Sequence, residues 1–280
     1  MENQLATNTK KSVSSILSQD LVKARFTEIL GKSANAFVSS IISATKSNPS
    51  LAECEPDSVI SSAVIAATLN LPIQSNLGFA HIVPYKKDGV PVAQFQMGYK
   101  GFIQLALRTA QYKTINASEI YEGELIKHDR ITGDVELDTN KKKSNKVIGY
   151  VAYFKLLNGF EKMLYMTREQ LESHGGKYSK SYANKYGRWQ QDFDSMALKT
   201  VIKLLLSKYG ILSVDMQTAI ITDQSVIKDA DTLDVEYVDA NDKDVFQSSA
   251  LEETEAVEVN VLVSDAQKIA DAKSQSKLKL

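Results

Sequence analysis

Two short segments carry the residues best suited to contacting a ligand. Residues 94–102 predict a strand that ends in a glycine turn and runs into a helix, with Tyr99 and Lys100 in the turn, where the backbone could approach a ligand closely. A hundred residues later, Lys199 and Thr200 lie in a predicted amphipathic helix. Neither segment has a nucleophile, a base or a metal cluster. Both offer the cations, hydroxyl donors and flat rings that bind a nucleic-acid backbone.

A predicted hairpin and a second lysine add to this set. The hairpin extends from His81 to Gln96 and carries Tyr85 and Lys86 near its tip. Exposed lysines also protect strand edges from aggregation, so the hairpin alone is a weak indication. Lys203 follows Lys199 by four residues on the same helix face, although ordinary surface lysines explain that spacing equally well.

The polar segment 174–187 and the residues just after it alternate cations with aromatic rings. Base stacking on such rings contributes about 1–3 kcal/mol per base and tolerates any base sequence. Three of the tyrosines are also spaced for one helix face, so a core stripe is the alternative, but the polar neighbours favour a mobile surface loop. The cations are Lys177, Lys180, Lys185 and Arg188, and the rings are Tyr178, Tyr182, Tyr186 and Trp189.

Catalytic alternatives receive little support. Lys100 lies between two glycines with no Ser or Thr after it, so this is not a nucleotide phosphate loop. The densest acidic group, Glu119, Glu122, Glu124 and Asp129, could in principle hold a nuclease metal, but a solvated strand edge is the simpler interpretation. The histidines and the one cysteine lack zinc-ligand spacing. We therefore expect no catalytic residue, no metal and no cofactor.

The near-zero net charge conceals an uneven distribution. Residues 215–280 contain 15 Asp and Glu against 6 Lys and Arg, whereas residues 1–214 contain 27 Lys and Arg against 19 Asp and Glu. A basic body followed by an acidic tail is typical of nucleic-acid binders, although a solvated surface with a solubilising tail gives the same pattern. The polar N-terminus and the single cysteine, Cys54, favour a cytoplasmic protein.

Hydrophobic periodicity predicts an α+β fold in which antiparallel β-hairpins pack against helices. Asp88-Gly89 and Asn158-Gly159 are strong hairpin signals, and Thr167 begins a capping sequence. Residues 134–146 are predicted to be a loop. The predicted helices are two within 12–48 and then about 57–71, 99–110, a short one from 167, 189–209 and 213–222; the predicted strands are 79–85, 90–97, 114–121, 147–156 and 160–165.

Three regions follow from these patterns. Residues 1–11 are expected to be disordered. Residues 12–226 form one domain, and residues 227–280 form an acidic, largely disordered tail.

Several blocks, in order and with their spacing, resemble the RecT family of phage single-stranded-DNA annealing proteins. The resemblance extends from about residue 57 to about residue 222. Leu198 departs from it, since the family usually has a basic residue there. The blocks are Leu77-Gly78-Phe79-Ala80-His81, Pro84-Tyr85, Gln94-Phe95-Gln96, Gly98-Tyr99-Lys100-Gly101, Leu105-Ala106-Leu107-Arg108, Met166-Thr167-Arg168, Trp189, and Met196-Ala197-Leu198-Lys199-Thr200-Val201-Ile202.

The resemblance implies a β-β-β-α core and annealing of complementary strands without ATP by an oligomeric ring or filament. It makes residues 12–226 the DNA-binding, annealing and oligomerisation domain, with the N-terminal helices between subunits. The strongest implied DNA contacts are Tyr99, Lys100, Lys199 and Thr200, followed by His81, Tyr85, Gln96, Arg188 and Lys203. A passive single-strand coat protein, a nuclease and a structural phage protein remain as alternatives.

The implied partners are single-stranded DNA, the annealed duplex intermediate and further copies of the chain. A phage exonuclease or the host single-stranded-DNA-binding protein would bind the acidic tail. The implied place of action is the nucleoid in the cytoplasm of a bacterial host.

Overall fold

A computed structural model describes residues 12–179, 182–185 and 187–237, which form an α+β arrangement of helices and antiparallel strands. The helices are α1 (Val13–Leu17), α2 (Asp20–Leu30), α3 (Ala34–Ser47), α4 (Pro49–Ala52), α5 (Pro56–Thr68), α6 (Tyr99–Arg108), α7 (Arg168–Tyr178), α8 (Arg188–Gln191), α9 (Phe193–Tyr209) and α10 (Val214–Thr222). The strands are β1 (Ala80–Lys87), β2 (Val90–Met97), β3 (Tyr112–Tyr121), β4 (Leu125–His128), β5 (Val135–Leu137), β6 (Val147–Leu156), β7 (Glu161–Thr167), β8 (Val226–Asp229) and β9 (Asp234–Glu236). The predicted α+β class with antiparallel hairpins is confirmed.

Local turn chemistry determines both predicted hairpins. Strands β1 and β2 pair antiparallel, with Lys87 opposite Val90, and the two residues between them both have positive φ, as a tight hairpin turn requires. Strands β6 and β7 meet at Asn158-Gly159, where the Asn158 side chain accepts a hydrogen bond from the Phe160 amide. Strand β3 completes a three-stranded sheet in the order β3-β6-β7, and α9 packs across all three strands.

Helix α5 lies at the centre of the core. It is apolar nearly all round, and small residues such as Ala63 and Ala66 are fully buried, which lets β2 pack closely against it. The Ser58 hydroxyl ties the two together by accepting a hydrogen bond from the Ala93 amide at 2.8 Å. Phe26 and Ile41, from the N-terminal helices, are also fully buried in this core. Much of the apolar surface of these helices is therefore covered within the subunit itself.

Three segments differ from the patterns that the sequence suggests. Residues 134–146 are not all loop, because β5 pairs with β4. Segment 189–209 is two helices, since Asp192 interrupts it and caps α9 through the Ser195 amide. Helix α7 begins at the predicted capping box on Thr167 but continues to Tyr178, so the first residues of segment 174–187 are helical.

Strands β8 and β9 extend the packed domain past residue 226, where the tail was expected to start. Val226 and Ile227 are buried, and Ser225 bridges to Phe95 on β2. Glu236 pairs with Lys87 at 2.6 Å. Only a few apolar residues in this acidic stretch reach the core, which is why composition alone indicated a linker. The expected disordered segment 1–11 and the rest of the tail lie outside the described residues.

The glycines at the start of α6 are needed by the chain itself. A Cβ at Gly98 would lie 2.0 Å from the Gly78 carbonyl oxygen, and a Cβ at Gly101 would lie 2.2 Å from that of Phe79. Backbone from the segment before β1 therefore occupies the space that the sequence suggested for a ligand. This contact fixes the position from which Lys100 projects.

We predict that Gly98→Ala destabilises the protein by about 2–3 kcal/mol or more, because the methyl group would overlap backbone that cannot move cheaply. Gly176→Ala is the matched control, since a Cβ there meets only ring atoms at 3.7 Å or beyond. Because alanine has a higher helix propensity than glycine, Gly176→Ala should raise the free energy of unfolding by up to about 1 kcal/mol. Urea unfolding of both variants would measure the difference, and equal midpoints would contradict the packing role of Gly98.

Candidate nucleic-acid interface

A buried carboxylate organises the predicted site. Asp223 is fully buried just after α10, and it accepts hydrogen bonds from the ammonium groups of Lys199 at 2.7 Å and Lys203 at 2.9 Å. It also accepts from the Met97 amide at 2.9 Å, which joins α9 to the end of β2. The exposed fractions of the two lysine side chains are only 7% and 14%. Both predicted lysines therefore lie below the surface in an ion-paired triad.

The Asp223 carboxyl of this triad is ionised. Burial alone would raise the pKa of the Asp223 carboxyl, but the charges and hydrogen bonds of Lys199 and Lys203 outweigh burial and hold the pKa below its usual value. Two cations against one anion leave one net positive charge in a largely water-free position. Charges in such surroundings are screened by salt much less than exposed lysines are.

Two half-buried histidines lie within the field of these lysines. Burial, followed by the charges of Lys199 and Arg188, lowers the pKa of His81 to about 4. Burial, followed by the charges of Lys203 and Lys177, lowers the pKa of His174 to about 4 as well. Both imidazoles are therefore neutral near pH 7. The Nδ1 atom of His81 has no hydrogen-bond partner among the residues that the structure describes.

Exposed residues complete the surface around the triad. Gln96 lies opposite His81 in the hairpin register. Lys100 is exposed in the first turn of α6, with its stem close to Gly78, and Arg188 is exposed at the start of α8. Tyr99 beside Lys100 is half-buried. We define the basic surface as Lys100, Arg188, His81 and Gln96 above the triad of Lys199, Lys203 and Asp223.

The structure does not bring every predicted residue to this surface. Tyr85 and Lys86 lie toward the hairpin tip, about 13 Å and about 16 Å along the strand from His81. The Thr200 hydroxyl donates to the Met196 carbonyl at 2.9 Å within α9, and its residue is buried. Thr200 therefore has a structural role within α9.

The described aromatic residues of segment 174–189 are buried or half-buried. Trp189 is buried, and its ring contacts those of Tyr182 and Phe193. Tyr182 in turn fills the space over Gly175. These rings form an inward cluster, which was the alternative to a mobile stacking loop. Lys180 and Tyr186 lie outside the described residues.

Sequence reasoning missed three members of this region. Asp223 is one, although an acid between Ile220, Ile221 and the Val226-Ile227 pair suggests a buried, paired charge. His174 is another, and no sequence signal distinguishes it from a surface histidine. The third is Gln94, which is fully buried and donates to the Gln224 carbonyl while accepting from Gln96.

Comparison with known proteins identifies the family. The model of the RecT family matches residues 35–237, which ends with the β8–β9 hairpin. The chain belongs to the RecT family. Membership supports DNA binding and strand annealing in recombination as its general role.

Two curated relatives extend the comparison. The chain is 48% identical over 246 residues to "Uncharacterized protein YqaK" of Bacillus subtilis (strain 168), a match that covers 86% of this chain and 84% of the relative. It is 30% identical over 186 residues to "Protein RecT" of Escherichia coli (strain K12), covering 63% of this chain and 66% of the relative. The RecT-family match includes every residue of the basic surface and the triad.

Two further structural observations concern cofactors and membranes. Within residues 12–179, 182–185 and 187–237, no group of three or more His, Cys, Asp or Glu is arranged to hold a metal ion. None of the described helices combines the length and the apolar character needed to span a bilayer.

We predict that Asp223→Asn lowers the free energy of unfolding by about 3–5 kcal/mol, because it leaves two buried lysines without a counterion. Asp231→Asn is the matched control. It breaks the exposed pair with Arg25, whose side chains are 39% and 77% exposed, and should cost less than about 1 kcal/mol. Denaturant unfolding at pH 7 measures both, and similar small losses would contradict a structural role for the triad.

We also predict that stability falls as the pH is lowered from 6.5 to 4. The unfolded histidines bind protons in this window, whereas the folded His81 and His174 remain neutral because their pKa values are lowered to about 4. Each could contribute up to about 3 kcal/mol before solvent screening reduces it. The window lies above the pH at which Asp223 is protonated.

Unfolding free energies across this window measure the effect. The double variant His81→Gln and His174→Gln should show a flatter profile than the wild type. His128→Gln makes the same change at an exposed position and serves as the control. A profile that stays equally steep in the double variant would contradict the assignment.

Proposed function

We propose that this RecT-family protein binds single-stranded DNA along the basic surface and anneals complementary strands without ATP. The observation that supports this most is the gathering of cations around one buried acid. Lys199 and Lys203 flank Asp223, and Arg188 lies close enough for its charge to act on His81. A fixed excess of positive charge suits a phosphate backbone and provides no specificity for base sequence.

The exposed and buried cations have different tasks in this proposal. Lys100 and Arg188 reach solvent and contact phosphates directly, while the triad beneath them supplies a field that needs no rearrangement. Because phosphate charge is neutralised on the bound strand, a second strand approaches with less repulsion. Base pairing then selects the partner, so the protein needs no catalytic residue.

The acids considered for a nuclease are engaged elsewhere. Glu124 accepts a hydrogen bond from the Tyr121 amide, Glu122 accepts from the Ser144 hydroxyl, and Asp129 accepts from the Ile131 amide. The contacts of Glu124 and Asp129 close local turns, and that of Glu122 joins two segments 22 residues apart. This arrangement favours annealing over metal-dependent cleavage.

The assembly and its partners are part of the same proposal. We propose that copies of the chain form a ring or filament on DNA at the host nucleoid. A phage exonuclease or the host single-stranded-DNA-binding protein binds the acidic segment after residue 237, whose negative charge is read from the sequence alone. The alternative, a passive single-strand coat protein, would share the basic surface but would not accelerate annealing.

The test is annealing of two complementary dye-labelled oligonucleotides without ATP. We predict that the double variant Lys100→Gln and Arg188→Gln slows annealing and weakens strand binding roughly ten-fold. The slope of log affinity against log salt should fall by roughly 1.4, since each phosphate contact on a single strand contributes about 0.7. Lys199→Ala is less suitable, because it would also break the buried ion pair.

The control removes two exposed lysines elsewhere, Lys46→Gln and Lys127→Gln, and should change little. Strand binding by the wild type without faster annealing would favour the passive coat protein. No binding at all would overturn the proposal. Electron micrographs of the same complexes would test assembly, and uniformly single-subunit particles would contradict a ring or filament.

A further inference from the structure

A second basic groove opens on another side of the molecule. It lies between the turn of the β4–β5 hairpin, strand β7 and the C-terminal end of α9, and its volume is about 490 Å³. Its wall includes the cations Arg130, Lys162 and Lys208 together with the ring of Tyr209. Within the described part of the chain, the residues that line it include no Asp or Glu. We call this the hairpin groove.

The hairpin groove is held open by specific bonds. The Lys162 ammonium donates to the Thr132 carbonyl at 2.9 Å, which fixes the hairpin turn against β7. The turn itself is closed by the Asp129 side chain, which accepts from the Ile131 amide at 2.8 Å. Next to the turn, at the end of β4, the His128 ring packs edge-on against the Tyr165 ring, with 5.3 Å between the ring centres. These contacts within the chain hold the hairpin turn against β7.

Cations and an aromatic ring lie side by side in this groove. The ammonium groups of Lys208 and Lys162 lie 5.3 Å and 5.6 Å from the centre of the Tyr209 ring. Arg130 and Lys208 are exposed, and among the described residues neither has an acidic partner within the 4 Å of an ion pair. Ring stacking beside free cations is the combination that binds single-stranded nucleic acid.

The hairpin groove and the basic surface use different faces of α9. Lys199 and Lys203 are four residues apart and point to Asp223. The next five residues to Lys208 turn the helix by about 140°, so Lys208 faces away from the triad. Lys208 and Tyr209 instead line the hairpin groove together with residues of β7 and the hairpin turn. One helix thus separates two cationic surfaces.

We propose that the hairpin groove binds a second single strand of nucleic acid while the first strand occupies the basic surface. This assignment rests on the proposed annealing function, because only a protein that brings two strands together needs two such surfaces. Phosphates contact Arg130 and Lys208, and a base stacks on Tyr209. Holding the incoming strand near the first raises its local concentration and speeds the search for a match.

The test compares the double variant Arg130→Gln and Lys208→Gln with the control Lys46→Gln and Lys127→Gln in the full chain. Lys127 lies on the same hairpin but does not line the groove. First-strand affinity, measured by fluorescence anisotropy, should stay within about two-fold of the wild type. Annealing of a complementary strand added to the preformed complex should slow roughly ten-fold in the groove variant alone.

A second readout does not depend on annealing. A non-complementary oligonucleotide carrying 5-iodouracil is added to the preformed complex and irradiated, and the crosslinked peptide is identified by mass spectrometry. Crosslinks to Tyr209 or to residues 128–133 are expected from this second strand. They should be lost in the groove variant and kept in the control.

Two other outcomes overturn the assignment, and a third separates it from the annealing function. Loss of first-strand affinity in proportion to annealing would make the groove part of the first-strand path. An unchanged annealing rate with no crosslink would show that nucleic acid does not bind there, and an acidic peptide would then be the occupant to test. Wild-type protein that crosslinks in the groove but does not accelerate annealing would overturn the annealing function while keeping the second strand site.

Discussion

The carboxylate of Asp223 is the point on which the rest of the site depends. An isolated charge in the interior would cost several kcal/mol, so Asp223 requires the two lysines as much as they require it. Because Lys199 and Lys203 come from α9 while the Met97 amide comes from β2, satisfying one anion fixes a helix against a hairpin. The elements that carry Lys100, His81 and Arg188 are thereby held in one arrangement, with positive charge in excess.

Burial, together with that excess of positive charge, keeps the nearby histidines neutral. A protonated His81 would add charge beside Lys199 and Arg188 in a poorly solvated position, and its pKa of about 4 reflects both penalties, with burial the larger. The consequence for function is that the charge of the basic surface stays constant near pH 7. The field at the basic surface does not change across physiological pH, and an affinity for phosphate that depends on it is set by salt rather than by protons.

Local signals in the sequence were sufficient for much of the fold. The turns at Asp88-Gly89 and Asn158-Gly159, and the capping box at Thr167, act over a few residues and are visible in any short window. What the sequence did not reveal depends on partners far apart along the chain. The acid that neutralises Lys199 lies 24 residues away, and the strand that extends the domain rests on Phe95, 130 residues before Ser225. No periodicity encodes such pairings, because they exist only once the helices and sheets have packed.

The Gly98-Tyr99-Lys100-Gly101 sequence also shows the difference between local signals and contacts between distant parts of the chain. Its glycines suggested a backbone open to a ligand, but carbonyl groups of Gly78 and Phe79 already fill that space. The glycines therefore allow close packing of the backbone, whereas the Lys100 side chain is exposed to solvent. A flexible lysine on a loop would lose much of its freedom on binding a phosphate, whereas one anchored on a fixed turn loses less. Close backbone packing thus contributes to affinity without touching the ligand, and a residue's type and position in the sequence cannot show that contribution until its neighbours are known.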